Sequence, residues 1–431
     1  MSAGAFDDHH PPQSELIKDC VHCGFCLSSC PTYVLWGEEM DSPRGRIHLM
    51  KAGLEGEPLS ESMVGHFDAC LGCMACVTAC PSGVQYDTLI TDTRAQVERR
   101  YERSRPDRLL REAIFRLFPY PRRLRALRGP LALYQRSGLD RLLRRSGLLD
   151  RLPPTLRVIE SLAPKLTRRE KLPQRMAARG RRRAVVGMLT GCVQDALFPE
   201  VNAATARVLA AEGCDVVIPG EQGCCGALSL HTGREDEAVH FARALIERFE
   251  AAGVDYIVVN TAGCGSAMKE YAHLLRDDPG YAQRAAAFVE RTRDISELLV
   301  ELGPVAPRHR LDVTVAYHDA CHLGHAQGVR SQPRELLWAI PGLTLIEIAE
   351  ADLCCGSAGI YNLLNPEPAT ELGDRKARNV LATRASVLVT ANPGCLMQIA
   401  ASAQRLGAHL TLAHTVTVLD ASIRGVPLRV P

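Results

Sequence analysis

Eight of the 17 cysteines in this 431-residue chain fall into two matched runs. Cys20, Cys23, Cys26 and Cys30 stand at gaps of two, two and three residues, with Pro31 next; Cys70, Cys73, Cys76, Cys80 and Pro81 repeat the pattern. Three thiolates at two-residue gaps can wrap one face of an iron-sulfur cubane, but so short a loop does not easily supply the fourth ligand. In two-cluster chains with this spacing the fourth cysteine ligates the other cluster, and the proline turns the backbone away. The pattern therefore predicts two [4Fe-4S] clusters held crosswise. One would sit on Cys20, Cys23, Cys26 and Cys80, the other on Cys30, Cys70, Cys73 and Cys76. Zinc, which commonly takes two separated pairs, gives neither the triple spacing nor the trailing proline a purpose. Cubanes move single electrons and break no substrate bond, so no catalytic side chain is expected here.

Eight more cysteines form a second repeat. Cys192, Cys224-Cys225 and Cys264 align with Cys321, Cys354-Cys355 and Cys395, and both copies carry Cys-Cys-Gly, ending at Gly226 and Gly356. A reduced compartment disfavours a disulfide between adjacent cysteines, and the glycine lets backbone approach a ligand closely. These thiols are candidates for a further iron-sulfur cluster or a zinc ion; buried small residues in tight turns are the plain alternative. His231, His318, His322 and His325 lie around them. They read first as hydrogen-bonded structural residues, and otherwise as groups that tune a cluster, relay protons or meet a quinone. Cys214 has no counterpart in the second copy and is expected to be a core thiol.

Elements must hold these residues. RAVVGMLTG and LDVTVAYHDA read as buried strands leading to the first cysteine of each copy. Each is followed by a helix, a short strand (DVVIP; LTLIEIA), the Cys-Cys-Gly loop, a second helix and a third strand (YIVVNTAG; VLVTANPG). Alternating strands and helices imply a parallel sheet whose loops gather at the strands' carboxyl ends, and two copies imply duplication. Around the paired runs, RGRIHLMKAG and YDTLITDTRAQVERRYER predict helices. The expected fold is α+β and multidomain: an α-helical two-cluster ferredoxin-like domain (1–100), a basic helical connector (101–183), and two α/β Cys-Cys-Gly domains (184–305 and 306–431).

The net charge of +2 hides an uneven distribution. Between Arg99 and Arg183, 24 Arg and two Lys face seven acids, so the rest of the chain is acidic. Few aromatics interleave these cations, and LDRLLRRSGLLDRL has amphipathic spacing. The connector is thus expected to dock on a partner protein or an anionic membrane leaflet rather than grip nucleic acid, although a cluster-bearing sensor or nucleic-acid binder stands as a reading of another class. A solvated linker helix is the remaining option. No apolar run spans a membrane and no signal peptide is recognisable, so a cytoplasmic protein is expected. Neither a Gly-x-Gly-x-x-Gly turn nor a Walker loop is present, which leaves flavin and nucleotide chemistry to a partner.

Paired ferredoxin motifs followed by two Cys-Cys-Gly domains resemble the iron-sulfur subunits that accompany flavin dehydrogenases. Within that group, SPRGRI, GCCGAL with HTGR, NTAGCGS, YHDACHLGHAQ, PRELL with IPG, DLCCGSAGIYN and ANPGC are similar to the glycolate oxidase iron-sulfur subunit family. The resemblance implies a complex that oxidises glycolate to glyoxylate, with FAD-binding partner subunits performing the chemistry. A membrane quinone would accept the electrons at the cytoplasmic face of the inner membrane. Subunits for D-lactate or glycerol-3-phosphate are the alternative. Related heterodisulfide reductase subunits end each repeat with Cys-x-x-Cys. Here Cys264-Gly265-Ser266-Ala267 and Cys395-Leu396-Met397-Gln398 lack that fifth thiol, which argues against a five-thiolate cluster.

Overall fold

The computed structural model describes residues 4–167 and 169–428; Arg168 of the connector and the last three residues of the second Cys-Cys-Gly domain lie outside the described residues. At the amino end, helices surround two cysteine loops, and the two longest are Pro43–Leu54 and Tyr86–Arg100, where the sequence predicted helices. Ser42 starts the first, its Oγ accepting from the Gly45 amide at 3.0 Å, while Pro43 occupies a position whose N–H would have no helical partner anyway. Ile47 and Met50 from this helix meet Leu89, Ile90 and Val97 from the other, together with Phe67, in one core.

Four helices follow: Arg105–Leu117, Pro121–Arg136, Leu139–Arg145 and Pro154–Ser161. The first is anchored, since Ile114 and Phe115 pack with Ile360 and Leu363 from the far end of the chain. Beyond it Leu127, Leu133, Leu142, Leu148 and Leu156 are exposed among arginines.

Both Cys-Cys-Gly units are sheets flanked by helices. The first contains β1 (Arg175–Met176), β2 (Ala184–Met188), β3 (Cys214–Val217), β4 (Tyr256–Val259) and β5 (Thr292–Asp294), in the order β1-β3-β2-β4-β5. All its pairings are parallel except β1 with β3. The second contains β6 (Val313–Tyr317), β7 (Leu343–Glu347), β8 (Val387–Thr390) and β9 (Thr411–His414), ordered β7-β6-β8-β9 and wholly parallel. The three strands read from each copy are present. β5 and β9 extend each sheet by one strand, and β1 reaches in from the basic segment.

The two units share a core. Val186 and Met188 from β2 and Val315 and Tyr317 from β6 belong to one apolar cluster. Helix Pro199–Ala211 packs against helix Thr415–Arg424, and Arg207 Nη2 bonds Asp420 Oδ2 at 2.8 Å across the join. Small residues on the first helix, Ala203, Ala204 and Ala206, allow this close approach.

Candidate metal centres

Each ferredoxin-like loop encloses its own small cavity. The outer one is lined by Cys20, Cys23 and Cys26 from the first run and by Cys80 from the second. Backbone geometry shapes it: His22 and Gly24 adopt positive φ (54° and 86°), and Arg44 Nη1 ties the loop by donating to the His22 carbonyl at 2.9 Å. Cys23 is exposed and is flanked by Val21 and Phe25, each 67% exposed. Burial pushes the Cys26 thiol up to about 11.

The inner cavity is lined by Cys70, Cys73 and Cys76 from the second run and by Cys30 from the first. All four are buried. Arg46, fully buried in helix Pro43–Leu54, reaches them: Nη1 lies 4.0 Å from Cys30 Sγ, while Nη2 donates to Asp41 Oδ1 and Thr32 Oγ1 at 3.2 Å each. Burial raises the Cys70 thiol, but the Arg46 and Arg94 guanidiniums outweigh it and hold Cys70 below the usual thiol range. The Gly72 amide (3.3 Å) and Tyr86 hydroxyl (3.6 Å) also donate to Cys70 Sγ. Cys73 and Cys76 are driven well up by burial and then by neighbouring thiols, Cys321 acting on Cys73. Each cavity thus gathers three thiols from one run and one from the other. Four thiols bordering each cavity suit an iron-sulfur cluster, and the arginine that also lines it, Arg44 at the outer and Arg46 at the inner, offsets the negative charge such a group brings.

The repeat thiols meet at a third cavity of about 230 Å³, bounded by all eight of them and by Cys70 and Cys73 of the inner loop. In the first unit Cys192 Sγ lies 3.6 Å from Cys224 Sγ, and the Gly226 amide donates to Cys224 Sγ at 3.4 Å. Hydrogen bonds from Cys224 and Cys264 hold the Cys225 thiol well down against its burial. Cys354 and Cys395 do the same for Cys355, aided by the adjacent His318 imidazole. Cys73, Cys321 and Cys354 share one buried cluster with Leu71 and Leu353, so the inner ferredoxin-like loop abuts the second Cys-Cys-Gly site directly. Cys214 is fully buried, away from these cavities, in the core shared by the two units.

The histidines divide by role. His322 and His231 pack ring against ring at 4.7 Å between centroids, one from each unit. His325 Nδ1 lies 2.7 Å from the Thr78 hydroxyl, next to the inner loop. His318 is 1% exposed, and neither ring nitrogen has a hydrogen-bond partner. Sequence reasoning missed Arg46, Arg94 and Lys376, the last fully buried on helix Pro366–Ala382 near the thiols of Cys321, Cys355 and Cys354, with its ammonium donating to the Glu350 carbonyl. The first two sit in helices of amphipathic pattern, where a cation is ordinarily assigned to the solvated face. Only the spacing of Arg46 one turn before the core residue Met50 signals otherwise.

The amino-terminal module matches the family described as 4Fe-4S dicluster domain over residues 16–84. The two sheet units match the Cysteine-rich domain over 186–269 and 315–400. The basic segment matches the family described as Glycolate oxidase iron-sulfur subunit, linker region, over 106–163. A probable glycolate oxidase iron-sulfur subunit of Bacillus subtilis is 42% identical over 92% of this chain and 90% of its own. The glycolate oxidase iron-sulfur subunit of Escherichia coli is 37% identical over 90% of each. A lactate utilization protein A of an Exiguobacterium species is 32% identical, but matches only 56% of this chain, against 98% of its own length. Paired cysteine runs, a recognisable basic linker and both cysteine-rich units, in this order and along nearly the whole length of two relatives, place the chain in the glycolate oxidase iron-sulfur subunit family.

Proposed function

We propose that this chain is the electron-transfer subunit of a complex that oxidises glycolate to glyoxylate, with substrate chemistry on FAD-binding partner subunits and a membrane quinone as acceptor. The observation that carries the proposal is the pair of cavities bordered by four cysteines each, the inner one abutting the second Cys-Cys-Gly site. Two [4Fe-4S] clusters bound there supply one-electron carriage. The chain's own residues do the rest. Cys20, Cys23, Cys26 and Cys80 hold the outer group beside solvent, where a partner reaches it, and Cys30, Cys70, Cys73 and Cys76 hold the inner one dry. Arg46 and Arg94 balance thiolate charge. The eight repeat thiols hold a further iron-sulfur cluster or zinc.

Among the described residues no helix is long and apolar enough to cross a membrane. The exposed leucines and arginines of the connector instead suit peripheral docking at the cytoplasmic face of the inner membrane, as a domain of its own between the ferredoxin-like module and the sheet units. The lactate utilization relatives support the same role beside a D-lactate dehydrogenase as a second reading.

Iron and acid-labile sulfide measured on anaerobically purified protein, with electron paramagnetic resonance, test the proposal. About eight iron atoms per chain correspond to two cubanes, and little or no sulfide overturns the reading. Pull-down of the tagged chain is expected to bring a flavoprotein that reduces an artificial dye with glycolate; one active with lactate alone favours the second reading.

A further inference from the structure

A cluster without sulfur joins the amino-terminal arm to the first Cys-Cys-Gly unit. Ala5 and Phe6 anchor the arm in the core of the ferredoxin-like module. Helix Tyr86–Arg100 grips the residues that follow: the Asp7 amide donates to Gln96 Oε1 at 2.8 Å, and Gln96 Nε2 and Arg99 Nη2 donate to the His9 carbonyl at 2.8 and 2.6 Å. His9 and His10 are thereby carried to Glu235, the first residue of helix Glu235–Ala252 in the sheet unit. One ring nitrogen of each histidine and one Glu235 oxygen lie within 4.8 Å of one another. His10 Nδ1 is 2.9 Å from Glu235 Oε1, and His9 Nε2 is 3.7 Å from Glu235 Oε2. The other nitrogen of His10, Nε2, is 2.7 Å from Asp277 Oδ2. His10 holds this position at φ 54°, a left-handed backbone that is uncommon in residues with a side chain.

We propose that His9 Nε2, His10 Nδ1 and the Glu235 carboxylate bind one divalent transition-metal ion such as zinc, with water in its remaining positions, and so staple the arm across the join between the two modules. Two imidazoles and a carboxylate are ordinary ligands for such an ion. Bonds of ~2.0–2.2 Å to nitrogen and oxygen set neighbouring ligand atoms ~3–3.5 Å apart. The spacings of 2.9 and 3.7 Å straddle that range. Asp277 is the partner a metal-bound imidazole ordinarily has, a carboxylate on the second ring nitrogen that fixes the ring's orientation. Around the cluster the carboxylates of Asp7, Glu235 and Asp277 outnumber the guanidiniums of Arg99 and Arg276, which favours a cation there. A proton is the rival occupant. Protonated His10 would satisfy both of its carboxylates, but it leaves His9 stacked on it, ring centroids 4.1 Å apart, with Nε2 beyond hydrogen-bond reach of Glu235. The His9 side chain is 62% exposed, so an ion reaches the site from solvent.

The test uses the full chain, purified anaerobically, with nickel(II) as the probe, because imidazole and carboxylate accept nickel and any zinc resident at thiols leaves its X-ray absorption edge clear. Titration is expected to load about one nickel per chain with nitrogen and oxygen neighbours and no sulfur. Bound nickel should also slow amide exchange across residues 4–12. His9→Gln combined with His10→Gln should abolish both effects while iron and labile sulfide stay as in the wild type. Asp277→Asn, which leaves the three ligands in place, should weaken nickel binding by about tenfold or more. No nickel bound, nickel bound only through sulfur, or nickel bound equally well by the double variant overturns the proposal. So does arm exchange that responds to pH and not to the metal, the mark of a protonated His10 clasp alone.

Discussion

His322, in the second Cys-Cys-Gly unit, donates its Nε2–H to the carbonyl of Gly72 at 2.8 Å, inside the inner ferredoxin-like loop and 250 residues away in sequence. Gly72 is buried, so this carbonyl is shielded from water. His322→Phe keeps the ring volume and removes the donor. The expected loss is about 1–3 kcal/mol of stability, read as a lower denaturant midpoint, with faster amide exchange around Cys70–Cys76. An unchanged exchange pattern would show that the two modules do not depend on this contact.

Arg46 is the cation of the inner site. Arg46→Met keeps much of the buried bulk but leaves Asp41 only the His66 Nδ1 contact at 3.0 Å, and loss of hydrogen bonds to a charged group costs about 1.5–3 kcal/mol. It also withdraws a charge that holds the Cys70 thiol down. The variant is expected to retain the outer cluster and lose the inner one, so iron falls by about half. Retention of full iron would show that the charge is dispensable for assembly.

Gly226 and Gly356 follow the paired cysteines in left-handed conformation, at φ 76° and 83°. Alanine is strained at both, by about 1 kcal/mol. At Gly226 the added methyl meets its nearest atom at 3.3 Å; at Gly356 it would lie 2.5 Å from the Ala369 carbonyl oxygen, a backbone atom. Gly356→Ala should therefore destabilise the chain more than Gly226→Ala, and equal melting temperatures would contradict this.

His414 ends β9 fully inside the protein, donating from Nε2 to the Asn260 carbonyl at 2.7 Å and accepting from the Val416 amide at Nδ1. Burial pushes it down to about 4. Above the unfolded value near 6.5 the neutral ring contributes its full stability. Between 6.5 and 4 the unfolded chain binds a proton that the folded one refuses, so stability falls with falling pH, by roughly 3 kcal/mol at most. His414→Gln should flatten that slope, read as the difference between unfolding midpoints at pH 7 and pH 5; parallel slopes would exclude the histidine as its source.

Arg108, Arg136, Arg141 and Arg157 are exposed cations of the connector. Each cation near an anionic leaflet contributes roughly 1 kcal/mol, so changing all four to Gln should weaken binding to phosphatidylserine vesicles by about tenfold or more at low salt. Binding and complex assembly that both persist unchanged would reduce the segment to a spacer.

The parallel sheets and all sixteen repeating cysteines were legible because periodicity and spacing survive in a linear text. The closing strands were not. β5 is three residues, Thr-Arg-Asp, carrying no apolar run, and it is held by pairing with β4 rather than by its own propensity. β1 is two residues within an arginine-rich stretch and pairs only because β3 presents an open edge. His318 was legible only as one of four histidines near the repeat thiols, and Lys376 carried no signal; folding brings both beside Cys355. The crossed lining of the two cavities, with Cys80 at the outer and Cys30 at the inner, follows the expectation from spacing, in which so short a loop does not easily supply its own fourth thiol.

The same difference in cover between the two loops sets an order of decay. Cys23 and its neighbours Val21 and Phe25 stand open to solvent, whereas the inner four thiols lie behind Arg46, Tyr86 and the second sheet unit. Dissolved oxygen or a chelator meets the outer loop first, and finds the inner four thiols buried. With clusters bound as proposed, a preparation that ages in air is expected to pass through a half-loaded form, its buried centre intact and its contact with the outside already broken.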